Sequence, residues 1–339
     1  MNMAANNSCM DINPQLEKYY LPTVYGIQFI FGFLGNFIVI LVYLFSLKDW
    51  KSCNIYLFNL SISDLLFTCT LPWLVHYYSN TNCQIYKHHF CIINKYILYF
   101  NMYGSILFLT CISVDRYHLV LNPLKFHWLQ KKVNAVLICM SIWVFVIIEL
   151  LPLGTIFSGV NTNNSRDCIC SDFASSGEAL GNLIYSLYLT IFGFLAPLCI
   201  MLFVYNRIVR SLKKMKQESR IPLRKPCRIV VLAITIFIVL LTPYHIMRNI
   251  RIMSRIDVVE MSECDKSVVK AVYTITRPVA FFNSVINPVF YFMLGDKFQD
   301  QIVNLLQKIF LRMPEAENKK ESHAAKVTNS IEGSDEIAL

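Results

Sequence analysis

Basic residues sit inside two apolar runs, where a lipid-spanning helix would not normally hold them. Residues 242–255 read TPYHIMRNIRIMSR and continue the apolar stretch 229–241, turning basic without losing helical rhythm. At 100° per residue, His245, Arg248, Arg251 and Arg255 fall within about 120° of one another on a helical wheel. Arg277 lies in the next run, VYTITRPVAFFNSVINPVFYF. A cation at such depth costs on the order of a few kcal/mol, so it normally faces a bundle interior or a watery cavity. The two runs are therefore expected to meet and aim cations at an anionic ligand. The competing reading is that Arg248 and Arg277 snorkel or pair with acids of nearby loops, of which Asp172, Glu178, Asp257, Glu260, Glu263 and Asp265 are available. Arg251 and Arg255, nearer to water, read as steering or rim charges.

The elements that position these cations follow from composition. The chain has 339 residues, of which 55% are hydrophobic and only 16% charged. Apolar runs of about 20 residues or more recur seven times, at roughly 24–47, 54–77, 92–120, 134–157, 182–206, 228–252 and 268–293. This predicts an all-α membrane protein, a seven-helix transmembrane bundle over 21–293. A polar tail over 1–20 precedes it, an amphipathic membrane-surface helix over 294–312 follows, and 313–339 reads as a disordered tail. No cleavable signal peptide is evident. Nine Lys/Arg lie in 207–228, against one each (Lys87 and Arg166) in the loops 79–90 and 158–180. The positive-inside rule then puts the N-terminus outside and the C-terminus in the cytosol of a plasma-membrane protein. The same bias explains the net charge of +9, so nucleic acid is not an expected partner.

Six of the twelve cysteines (Cys9, Cys83, Cys91, Cys168, Cys170 and Cys264) fall on the expected outside, where fifteen pairings are open to them. The sequons at Asn6 and Asn163 fall there too, as glycosylation requires. Asp64, in the middle of run two, is either a polar staple between helices or a cation site, with Ser105, Asn283 and Asn287 able to supply further oxygens. Glu149 in run four is either a packing residue or a group that tunes the outer cavity. Pro197, Pro243, Pro278 and Pro288 are expected to kink their helices. Tyr77, Tyr78, Tyr96, Tyr99 and Tyr103 could be interfacial aromatics or pocket lining.

Gly35-Asn36, the NLSISD segment with Asp64, Cys91, Asp115-Arg116-Tyr117, Trp143, Pro197, Pro243 and Asn287-Pro-Val-Phe-Tyr291 occur in order, about one set per run. Together they resemble the rhodopsin-like (class A) G-protein-coupled receptors over about residues 20–312. That resemblance implies an outward-facing ligand cavity and a cytosolic crevice for a heterotrimeric G protein, with Asp115, Arg116, Tyr117, Asn287 and Tyr291 serving the coupling. It also implies an allosteric sodium ion held by Asp64, Ser105, Asn283 and Asn287, with no other cofactor, and receptor kinase and arrestin as partners of the tail. Within the class, NIYLFNLSISDL, SILFLTCISVDRY, DFASSG, TPYHIMRN and TRPVAFFNSVINPVFYFMLGD are similar to the branch that binds succinate, with oxoglutarate and nucleotide receptors as relatives.

The branch implies a ligand site of Arg248, Arg277, Tyr25, Tyr78, His245 and Tyr273, with Asp172 as an outer-loop acid able to hold the arginine of run seven. It departs at Lys95, where the branch has arginine, and at Tyr99, where it has histidine; both lie in the same pocket. Lysine keeps the charge and loses the planar fork, while tyrosine keeps a donor and no cation. A small dianion such as succinate suits converging cations; oxoglutarate or a nucleotide is the alternative. The resemblance pairs Cys91 with Cys170 and Cys9 with Cys264, leaving Cys83 and Cys168 as an additional pair. The aromatic toggle of the class is Leu241 here, so Phe237 or Tyr244 would supply the bulk. A transporter would show repeated halves, and an enzyme a nucleophile–base or metal constellation; neither pattern is present in the sequence.

Overall fold

The computed structural model describes residues 11–47, 50–79, 88–121, 128–158, 172–215, 224–256 and 260–290. The sequons, Cys9, Cys83, Cys168, Cys170, Tyr291, the amphipathic segment and the tail lie outside the described residues. Helix α1 runs Asn13–Phe45, α2 Ser52–Ser79, α3 His88–Leu121 and α4 Lys132–Ser158. Helix α5 starts as Ala179–Thr190 and continues through a π turn, Ile191–Leu195, into Ala196–Met215. Helix α6 starts as Arg224–Ile236 and passes a π turn, Phe237–Leu241, into Thr242–Met253. Helix α7 is Glu263–Phe281, and Asn283–Ile286 resumes after a break at Phe282. Six of these helices are long and apolar enough to cross a membrane. In α7, Glu263, Asp265, Lys266, Lys270 and Arg277 lower the apolar average.

The tail expected over 1–20 ends sooner, because the helix already begins at Asn13. Pro14 suits a first turn, where its missing N–H has no partner to lose. The Asn13 carboxamide donates to Ser267 Oγ at 2.9 Å and to the Ser267 carbonyl at 3.1 Å, which ties this start to α7.

Two of the expected kinks appear as π turns. Pro197 and Pro243 cannot donate to the carbonyls of Gly193 and Val239, and each of those residues lies in a π turn. The wider turn relieves the clash of the proline ring with the preceding carbonyl. The two π turns face each other, with the Phe194 and Phe237 rings stacked at 6.0 Å.

Burial orders the bundle. In the apolar window of α3, 72% of residues are buried, against 33% in that of α4, so α3 threads the centre and α4 the rim. The outer face of α4 (Val133, Leu137, Met140, Val144, Ile147 and Leu151) is exposed and as apolar as the core, the pattern of a helix that faces lipid. The chain is a polytopic membrane protein.

Candidate functional site

Three cations from three helices are buried near one end of the bundle: Lys95 on α3 (1% exposed), Arg248 on α6 (0%) and Arg277 on α7 (7%). Asp172, just before α5, enters among them at 8% exposure. Lys95 Nζ lies 3.2 Å from its Oδ1 and Arg277 Nη1 lies 3.7 Å away, while the Tyr273 hydroxyl donates to Oδ2. Asp172 thus pairs with Arg277 as expected, and Lys95 is an additional and nearer partner. Lys95 reaches Asp172 from the central helix, whereas the second guanidinium nitrogen of Arg277 donates to the Tyr78 hydroxyl at 2.9 Å. Burial pushes the Asp172 carboxyl up, but Lys95 and Arg277 outweigh it and hold the group below the ordinary carboxylate value. The Tyr78 ring lies 5.6 Å from the Arg277 guanidinium carbon and stacks on Tyr25 at 6.2 Å.

Arg248 is held by neutral oxygens. Its Nη1 donates to Tyr103 at 2.7 Å, Nε to Ser186 Oγ at 2.9 Å, and Nη2 to Thr190 Oγ1 at 3.1 Å and the Ser186 carbonyl at 3.2 Å. The Tyr244 and Phe173 rings lie 5.5 and 5.9 Å from its guanidinium carbon. Among the described residues Arg248 forms no ion pair, so the snorkelling and salt-bridge reading does not describe it. Tyr99 accepts from the Tyr244 hydroxyl at 3.4 Å and meets Phe173 edge-on.

His245 lies deeper, stacked on Phe194 at 4.4 Å and edge-on to Tyr103, and neither ring nitrogen has a hydrogen-bond partner among the described residues. It belongs to the floor of the site rather than to the cation cluster. Glu149 on α4 is buried with both carboxyl oxygens equally unpartnered among the described residues. Of the two rim arginines, Arg251 reaches only Ser254 Oγ among the described residues, at 3.4 Å, whereas Arg255 donates to three loop carbonyls.

The sequence reading missed Ser186, Thr190 and Tyr103 as the partners of Arg248. A signal existed: Asn182, Ser186 and Thr190 recur at i, i+4 and i+8 in an apolar run and so share one helix face. Gly193 is equally necessary. A Cβ there would stand 2.6 Å from Tyr103 Cε1 and 3.3 Å from Glu149 Oε1, so only glycine lets Tyr103 lie against α5.

Toward the other end, Asp64 is fully buried and accepts from Asn287 Nδ2 at 2.7 Å, Asn101 Nδ2 at 2.8 Å and Ser105 Oγ at 3.2 Å. Asn283 Oδ1 accepts from Asn287 at 3.4 Å and from Ser284 at 3.2 Å. The staple reading and the cation reading share this geometry. The donor set fits a sodium ion, with one carboxylate, two hydroxyls and three carboxamides, and Asn287 Oδ1 is buried without a partner among the described residues. Farther along α3, Arg116 Nη2 lies 3.2 Å from Asp115 Oδ2, and Ser52 Oγ donates to Asp115 Oδ1 at 2.5 Å. The Tyr117 ring meets that of His118 edge-on. Cys91 and Cys264 are both disulfide-bonded, and their partners lie outside the described residues.

A family model described as "7 transmembrane receptor (rhodopsin family)" matches residues 35–291. The chain belongs to the rhodopsin family of seven-transmembrane receptors. It is a receptor and not an enzyme. Succinate receptor 1 of Rattus norvegicus is 49% identical over 313 residues, covering 91% of this chain and 98% of the relative, and that of Mus musculus is identical to the same degree over the same shares. A purinoceptor of Homo sapiens is 36% identical over 307 residues, covering 90% of this receptor and 82% of the relative.

Proposed function

We propose that this receptor sits in the plasma membrane with its N-terminus outside, binds a small dicarboxylate, succinate foremost, and activates a heterotrimeric G protein, of the Gi class first and Gq second. The observation that carries the ligand class is charge. Lys95, Arg248 and Arg277 are buried on three helices, and among the described residues only the Asp172 carboxylate is in contact with any of them. Isolated charges in a low-dielectric interior are costly, so an anion with two separated charges complements the site, and guanidinium forks match carboxylates bidentately. The two relatives that carry succinate in their names are more similar than the purinoceptor, which favours succinate over a nucleotide.

Signal would pass down α6. Arg248 lies one turn above His245, whose ring stacks on Phe194, which stacks in turn on Phe237. Phe194 and Phe237 belong to the two π turns, and Leu241 is buried beside them, so this stack takes the place of an aromatic toggle. A shift of α6 at these turns would open the crevice in which Asp115 now holds Arg116. A sodium ion at Asp64, Ser105, Asn283 and Asn287 would neutralise the buried carboxylate. Receptor kinase and arrestin would act on the serine-bearing tail.

The test is a panel of dicarboxylates and nucleotides applied to cells expressing the receptor, with Gi and Gq readouts. Succinate is expected to give the strongest response. A response to adenine nucleotides and to no dicarboxylate would overturn the reading in favour of a nucleotide receptor.

A further inference from the structure

We propose that Arg255 is a positioning residue. Its guanidinium fastens the loop that carries Asp172 to the end of α6 and so sets where that carboxylate stands between Lys95 and Arg277. Arg255 follows the last residues of α6 and is half-buried. Its Nη1 donates to the carbonyls of Ser176 at 3.0 Å and Ala174 at 3.2 Å, and Nη2 donates to that of Gly177 at 2.7 Å.

These three carbonyls converge because the loop is tightly wound. Phe173–Ser175 form one 3-10 turn, in which Ser175 N donates to the Asp172 carbonyl at 2.8 Å. Ser176 Oγ donates to the same carbonyl at 2.9 Å, and the Asn182 carboxamide of α5 donates to the Ser176 carbonyl. Gly177 then reverses the chain at φ +62°, a left-handed conformation that glycine adopts without strain. The result is a cluster of three carbonyls to which, among the described residues, no backbone N–H donates. A planar fork with several donors fits it, and a single ammonium does not.

One turn earlier, Arg251 carries the same charge but among the described residues reaches only Ser254, at the end of its own helix. The two arginines that sequence alone treats as equivalent rim charges are therefore distinct. Through Arg255, α6 is joined to the loop whose Asp172 bonds α3 and α7, so the cation cluster is assembled across all three helices.

Two readouts on the full-length receptor in cells test this, and only the second rests on the dicarboxylate reading. In the first, Ala174, fully buried, is replaced by cysteine and labelled with a membrane-impermeant thiol reagent. Adding Arg255→Gln is expected to speed labelling by about tenfold or more, and adding Arg251→Gln by less than about twofold. In the second, Arg255→Gln shifts succinate potency by about tenfold at matched surface expression, while Arg251→Gln shifts it by less than about threefold. Arg255→Lys restores only part of the loss, and is read in place of Arg255→Gln should the latter fail to reach the surface. In an Asp172→Asn background the effect of Arg255→Gln is expected to fall below about twofold. Equal effects of the two arginine substitutions, or a shift that persists in full without the Asp172 carboxylate, would overturn the proposal. Should succinate activate no variant, the ligand reading fails and the labelling rates alone decide the role of Arg255.

Discussion

Replacing Gly193 with alanine is a small change with a large expected consequence. The new Cβ would stand 2.6 and 2.8 Å from Cε1 and Cδ1 of Tyr103, whereas carbon atoms settle at about 3.5–4.0 Å. The ring must retreat by about 1 Å, which carries the Tyr103 hydroxyl from 2.7 Å out of hydrogen-bond range of Arg248 Nη1. A hydrogen bond to a charged group contributes about 1.5–3 kcal/mol. If Arg248 loses that much of its orientation for ligand, potency falls by about ten- to a hundredfold. Helix propensity alone predicts the opposite sign, since alanine is favoured over glycine by about 1 kcal/mol. Succinate concentration–response curves on Gly193→Ala, normalised to surface receptor, separate the two. Tyr103→Phe removes the same bond directly, so the double variant should be no worse than the weaker single one. Unchanged potency at normal expression, or losses that add, would refute the role given to the Gly193–Tyr103–Arg248 contact.

Three further outcomes follow from the site. Arg277→Ala should lower succinate potency by about a hundredfold at normal surface expression, because it removes a buried cation that faces Asp172 and Tyr78; unaltered potency would mean that the ligand binds elsewhere. The Asp172 carboxyl lies below its ordinary value, so its stabilisation is fully present above the unfolded carboxyl value of about 3.9 and is lost as pH falls through the lower folded one. The melting temperature of purified receptor should therefore show no Asp172-dependent loss between about pH 7 and 5, checked by comparison with Asp172→Asn. Asp64→Asn should abolish any effect of sodium on agonist affinity, measured by competition binding in sodium and in a bulky organic cation; a sodium effect that survives would place the ion elsewhere.

Much of the fold was legible because lipid imposes a simple rule. A span must be long, apolar and internally hydrogen-bonded, so seven runs, their prolines and the buried polar residues could be read directly from the chain. Asp64, Ser105, Asn283 and Asn287, from three runs, lie in one hydrogen-bonded cluster. The boundary at Asn13 was not legible, because it depends on a bond to Ser267, which is distant in sequence.

Sequence by itself put Lys95, Arg248 and Arg277 in apolar runs, where each could either face the bundle interior or snorkel toward water. It could not determine their partners. A helical wheel gives the face of one helix but neither its height nor its rotation against the next, and those are set by packing. Only the tertiary structure put Lys95 rather than Arg277 nearest Asp172, surrounded Arg248 with Tyr103, Ser186 and Thr190, and lowered His245 to the floor. It also divided Arg251 from Arg255, two like charges one turn apart, because the fold brings three loop carbonyls within reach of only one of them.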